Sequence, residues 1–240
     1  MKYIDKSFCP EGLANYLANN EQATWTNFSN EAQEAYKVVQ ETIKLDQLGI
    51  CCYCETNFDI SDQSPIKDFR VEHFYPKSLT PITETNENAH LTWSNLFGCC
   101  HGGSRNHIDD DRYTSPDLHC DAIKKEKNWT KIILNPLKIP KDAKIFTFEK
   151  NGLMKVLENC PDDFKELAQN SIEKLNLNET TYLMKAREKI REEMGNQFQN
   201  LTRSGKTPEE ALDFLKEALF SNTATNMKFY TCKLDFVSYE

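Results

Sequence analysis

Six of the nine cysteines fall in three short groups, Cys51-Cys52-Tyr53-Cys54, Cys99-Cys100 and Cys120, and this pattern constrains the fold more than any other feature of the 240-residue chain. No apolar run approaches the ~18 to 20 residues of a bilayer crossing, and Met1-Lys2-Tyr3-Ile4-Asp5 lacks the apolar core of a signal peptide. A soluble, cytoplasmic protein is expected. In a reducing compartment an odd number of cysteines spread over a long chain points to metal binding rather than a disulfide framework. Four thiolates can be assembled as Cys51, Cys54, Cys100 and Cys120, with Cys99 as the alternative to Cys100. Zn2+ suits such a set, because it takes four ligands tetrahedrally and tolerates any loop length between the two halves. The competing reading is a metal-free C-x-x-C turn with buried thiols. Cys9, Cys160 and Cys232 have apolar or helix-end neighbours and are expected to be inert small hydrophobes.

Local patterns place these cysteines. Ala32, Tyr36, Val39 and Ile43 share one face of a helix expected over 30–48, opening with Asn30 and Gln33 in capping-box spacing and ending at Gly49, directly before Cys51. Phe69-Arg70-Val71-Glu72-His73-Phe74 reads as a short strand that stops before Pro76, and the stretch from there to Pro116 reads as mostly loop. Ile145 to Val156, with Asn151-Gly152 at its centre, predicts a hairpin. Three helices are expected beyond it: one from Pro161, one after Asn178, and one opening at Thr207-Pro208-Glu209-Glu210 with a cap, a first-turn proline and a glutamate at the third helical position. The sequence divides into an N-terminal helical segment (1–49), a cysteine-stapled core (50–135), and a hairpin with C-terminal helices for packing or partner docking (136–240). The fold class expected is α+β, mostly helical.

Several short motifs run through the cysteine frame: Cys51-x-Tyr53-Cys54-Glu55, Val71-Glu72-His73-Phe74-x-Pro76-Lys77-Ser78, Trp93-x-Asn95-Leu96, Cys100-His101-Gly102-Gly103, His119-Cys120-Asp121-x-x-Lys124, and Leu175-Asn176-Leu177-Asn178. In this order they resemble the zinc-stapled HNH nucleases, and within them the PtuB family of Septu anti-phage systems and of a related retron type. The resemblance covers 51–124 specifically and the helical tail loosely. It implies a ββα-metal nuclease core with a structural Zn2+, flanked by helices. It also implies His73 as general base, Glu72 and Asp121 as ligands of a catalytic Mg2+ or Mn2+, and Asn95 as the residue that orients the His73 loop. Those roles meet the needs of phosphodiester hydrolysis, which requires a base for water and a cation for the developing negative charge. Glu72 stands where Asp is more usual, and Asp121 where His or Asn is; both remain oxygen donors. The 19 residues between Cys100 and Cys120 include His101, His107 and His119, each an alternative ligand. Lys124, Lys127 and Lys131 share a helical face, with phosphate contact at Lys124 and Lys127 weighed against an ordinary solvated face.

Charge adds a partner. Residues 1–66, 67–150 and 151–240 carry −6, +1 and −3, within a net charge of −8. Nucleic-acid binding draws most of its affinity from neutralised phosphates, so this chain is not expected to grip nucleic acid strongly alone. The family resemblance implies a PtuA-like ATPase partner and, in the retron form, a reverse transcriptase with its RNA–DNA product. The rival reading is a non-catalytic zinc module that presents a protein-binding surface. Glu72-His73 with Asn95 and Asp121 discriminates the two, because an adaptor has no use for a base beside two carboxylates.

Overall fold

The computed structural model describes residues 1–59, 67–79, 88–220 and 227–238. It is α+β, with eight α-helices and two two-stranded antiparallel sheets among the described residues. Helices α1 (Glu11–Asn19), α2 (Trp25–Glu31) and α3 (Gln33–Asp46) come first. The helix expected from Asn30 starts later, because Thr24 and Asn27 form the capping box of a separate α2 and the chain breaks at Ala32. The end near Gly49 has a Schellman geometry: Gly49 N–H bonds to Lys44 O at 2.9 Å and Leu48 N–H to Leu45 O at 3.0 Å, with Leu48 at φ 56°. That reversal aims the chain at Cys51.

Strand β1 (Arg70–His73) pairs antiparallel with β2 (Leu96–Cys99), in register Arg70↔Cys99 to His73↔Leu96. β2 lies inside the stretch expected to be loop, of which residues 80–87 fall outside the described residues. Leu96-Phe97-Gly98-Cys99 is buried throughout, so it lacks the alternation that marks a half-exposed strand. Gly98 lets this strand approach its neighbours: a Cβ there would sit 2.8 Å from both Phe58 and Phe69. Gln47, buried at the end of α3, clamps the same glycine, accepting from Gly98 N–H at 2.6 Å and donating to Gly98 O at 2.9 Å. After a long connection comes the short α4 (Asp121–Lys124).

The hairpin forms as β3 (Phe146–Phe148) and β4 (Met154–Val156), followed by α5 (Asp162–Lys174), α6 (Leu183–Arg203), α7 (Pro208–Phe220) and α8 (Tyr230–Val237). α7 carries the expected cap, with Glu210 N–H donating to Thr207 Oγ1 and Thr207 N–H to Glu210 Oε2. The largest apolar cluster holds the six grouped cysteines together with Tyr53, Phe97, Phe148, Leu175, Phe229 and Cys232. A second cluster packs Leu13, Trp25, Phe28, Val39 and Ile43 against Leu96. Cys160 and Cys232 are buried as expected, whereas Cys9 is exposed.

Candidate active site and metal centre

The first cysteine pair sits on a tight knuckle. Cys51 N–H donates to Thr56 O at 2.9 Å, Glu55 N–H to Cys51 O at 3.1 Å, and Glu55 takes φ 64°. Cys52 N–H donates to Gly98 O at 3.0 Å, which docks the knuckle on β2. Cys120 is brought in from the other side: its N–H bonds to Leu175 O at 2.9 Å, and Asn176 Nδ2 donates to Leu118 O at 3.0 Å. The Leu175–Asn178 motif thus holds the last cysteine against the first pair. Gly102 allows that approach, because a Cβ would lie 2.1 Å from His119 O.

The sulfurs of Cys51, Cys54, Cys100 and Cys120 all lie within 4.8 Å of one another and all four residues are buried. Cys54 and Cys100 are 3.6 Å apart. A metal–sulfur bond of about 2.3 Å gives a tetrahedral edge of about 3.8 Å, so the donor set and its spacing fit a tetrahedral metal. Burial disfavours ionisation, yet hydrogen bonds from Cys100 and Cys120 hold Cys51 well below the ordinary thiol range, while Cys120 is pushed well above it by burial. One thiolate forms readily; a full set calls for a cation. None of the alternative histidines joins this set: His101 Nδ1 is 3.0 Å from Asp68, His107 is exposed, and His119 is buried with Nδ1 unpartnered.

Glu72 and His73 end β1. Glu72 is buried, accepting from Tyr53 OH at 3.0 Å and from Lys124 Nζ at 2.7 Å. Burial pushes its carboxyl up to about 8, the Lys124 ammonium pulls it down, and the neighbouring Asp121 carboxylate pushes it up again. Asp121, at the start of α4, is paired with Arg70 Nη2 at 2.7 Å. Both carboxylates, paired here with Lys124 and Arg70, offer the oxygen donors that a hard divalent cation takes.

His73 is buried, its ring edge-on to Trp25 at 5.2 Å between centroids. Its Nε2 lies 3.1 Å from His90 O, and since a carbonyl only accepts, Nε2 carries the proton and Nδ1 keeps the lone pair. Burial, with the charge of Lys77 second, lowers the imidazole to about 3, so the ring is neutral at physiological pH. Asn95 fixes the surrounding backbone. Its Oδ1 accepts from Tyr75 N–H at 2.7 Å, and its Nδ2 donates to Tyr75 O at 3.0 Å and to Ala89 O at 2.7 Å.

The expected lysine face does not form. α4 ends at Lys124, and Lys124 is fully buried, with Nζ on Glu72 and, at 3.2 Å, on His73 O. Its charge is used inside the protein, which corrects the surface phosphate reading for that residue; Lys127 is exposed, its ammonium 5.1 Å from the Trp129 ring. Sequence reasoning also passed over Arg70 and Tyr53. Strand alternation puts Arg70 on the face of Glu72, and Tyr53 stands inside the C-x-Y-C-E motif, so both had a signal.

No family model matches the chain. Among curated proteins it is 38% identical over 160 residues, 62% of this chain, to the Escherichia coli protein named "Retron Ec83 putative HNH endonuclease". The chain spans 59% of that relative's length.

Proposed function

We propose that the chain is an HNH-type endonuclease that hydrolyses nucleic-acid phosphodiesters with a divalent metal. One observation carries this reading: Lys124 Nζ joins the Glu72 carboxylate, which neighbours Asp121, to the backbone carbonyl of a neutral His73 whose Nε2 is held by His90 O. The similarity to the retron protein supports it. His73 Nδ1 accepts the proton of the attacking water. Asn95 ties the Tyr75 backbone to that of Ala89, next to the His90 carbonyl that holds Nε2, and Lys124 ties Glu72 to the His73 carbonyl. Glu72 and Asp121 would hold Mg2+ or Mn2+, which when bound stabilises charge on the phosphate and on the leaving oxygen. Cys51, Cys54, Cys100 and Cys120 would hold a structural Zn2+ that fixes the knuckle against α4. On this reading β1, β2 and α4 are the ββα-metal core.

We further read the protein as the cytoplasmic effector of an anti-phage complex, of retron or Septu type. Net charge −8 leaves nucleic-acid grip to a partner, a PtuA-like ATPase or a reverse transcriptase with its RNA–DNA product. The exposed acidic side chains Glu192, Glu193, Glu209 and Glu210 of α6 and α7 offer it a docking surface. The test is cleavage of duplex DNA, single-stranded DNA and RNA in parallel, with Mg2+, Mn2+ or chelator, with and without such partners. Metal-dependent cleavage that His73→Ala abolishes is the expected result. Cleavage that survives His73→Ala overturns His73 as the base, and no cleavage of any substrate in the assembled complex overturns the reading in favour of an interaction module.

A further inference from the structure

Two cysteines remain after the four-thiolate set is assigned, and neither is isolated. Cys52 and Cys99 are buried, and their sulfurs form with that of Cys51 a second group in which all three lie within 4.8 Å of one another. Cys51 and Cys99 are 3.7 Å apart. Each extra cysteine adjoins a member of the first set in sequence, and the backbone bond from Cys52 N–H to Gly98 O fixes them across from one another. The six sulfurs therefore form one body with Cys51 common to both groups.

We propose that Cys51, Cys52 and Cys99 form a second metal site, for a soft d10 cation of the Cu(I) class, in which the Cys51 thiolate bridges to the metal of the four-thiolate set. The bridging rests on that earlier metal assignment. The choice of ion follows from the donors. Among the described residues no fourth His, Cys, Asp or Glu completes the second group, and its three members are buried, whereas Zn2+ on three protein ligands takes a water as its fourth. Thiolates select Cu(I), and three of them suffice for it. Three sulfurs around such an ion, at a metal–sulfur bond of about 2.3 Å, stand about 4 Å apart, which the 3.7 Å pair and the 4.8 Å limit accommodate. Charge is compensated at one flank, where Arg70 interacts with Cys99 and Cys100. Inert packing is the contrasting role. Buried cysteines that serve as small hydrophobes need carbon neighbours, and these two face sulfur.

The test is an anaerobic titration of the full, reduced chain with Cu(I) against a competing chelator, following zinc content by native mass spectrometry. One equivalent of Cu(I) is expected to bind with zinc retained, with three sulfurs around copper by X-ray absorption. Cys52→Ser and Cys99→Ser, each a one-atom change, should weaken that binding at least tenfold and leave zinc in place. The copper coordination of the unaltered chain decides the matter if either variant fails to fold. No uptake, uptake only as zinc leaves, equal uptake in both variants, or two or four sulfurs around copper would overturn the proposal. Protein purified without zinc would instead defeat the four-thiolate assignment, a separate readout.

Discussion

Asn95→Ala isolates the residue that frames the imidazole. Its side chain makes three hydrogen bonds, to Tyr75 N–H, Tyr75 O and Ala89 O, and it is itself buried. Removing a partner from a buried polar group costs about 1 to 1.5 kcal/mol each time, so the variant should lose roughly 3 to 4 kcal/mol. For a chain of this length each kcal/mol lowers Tm by about 2 to 4 °C, giving a fall of roughly 10 °C by thermal melting. The local effect is sharper than the global one, because the three bonds join the exit of β1 to the segment whose His90 carbonyl receives His73 Nε2. Measured well below its Tm, where the fold is intact, the variant should cleave at least tenfold more slowly than the unaltered protein. Asn95→Asp keeps the acceptor for Tyr75 N–H and loses both donors, so it should fall between the two in Tm. Amide exchange at Tyr75 should accelerate in Ala and not in Asp. A variant with the lowered Tm but full cleavage at low temperature would show that Asn95 is only a structural clamp, and the positioning argument would fail.

The other perturbations are simpler. His73→Ala should abolish cleavage and leave zinc content unchanged, with a stability loss of about 1 to 3 kcal/mol for the vacated space; loss of zinc in that variant would mark His73 as part of the staple. Cys54→Ser or Cys120→Ser, or prolonged chelation, should unfold the knuckle, since structural zinc contributes roughly 10 kcal/mol or more; a chelated protein with an unchanged melting curve refutes this. Lys124→Met should destabilise by about 1 to 3 kcal/mol, because it removes the buried ammonium's hydrogen bonds to Glu72 and to His73 O; an exposed lysine would show almost no change in the same urea titration. Gly98→Ala should cost about 1 to 3 kcal/mol by overpacking against Phe58 and Phe69, and an unchanged denaturant midpoint would count against the close β2 packing.

What the sequence disclosed, and what it hid, follows from how far each signal reaches along the chain. The hairpin, α5, α6 and α7 announce themselves through caps, periodicity and an Asn-Gly turn, all within a few residues. β2 has no such local mark: it is a buried strand whose glycine is needed only because Phe58, Phe69 and Gln47 close on it from elsewhere. Lys124 reads as a surface lysine because its partner Glu72 is 52 positions away, and only the β1–β2 pairing and the Cys120 turn bring the two together. α8 was missed in the same way. The Phe229 and Thr231 amides at its start donate to Glu55 O and Oε2, each at 2.8 Å, and Cys232 packs in the main cluster. The end of the chain therefore braces the knuckle that carries Cys51 and Cys54. Removing everything after Gly205 would strip this brace together with α7, so loss of partner binding on that truncation cannot by itself locate a docking surface. Charge reversal at the exposed Glu192 in the middle of α6 can, because that residue neither touches the knuckle nor caps a helix: a partner that docks there should release while Tm and zinc content stay unchanged.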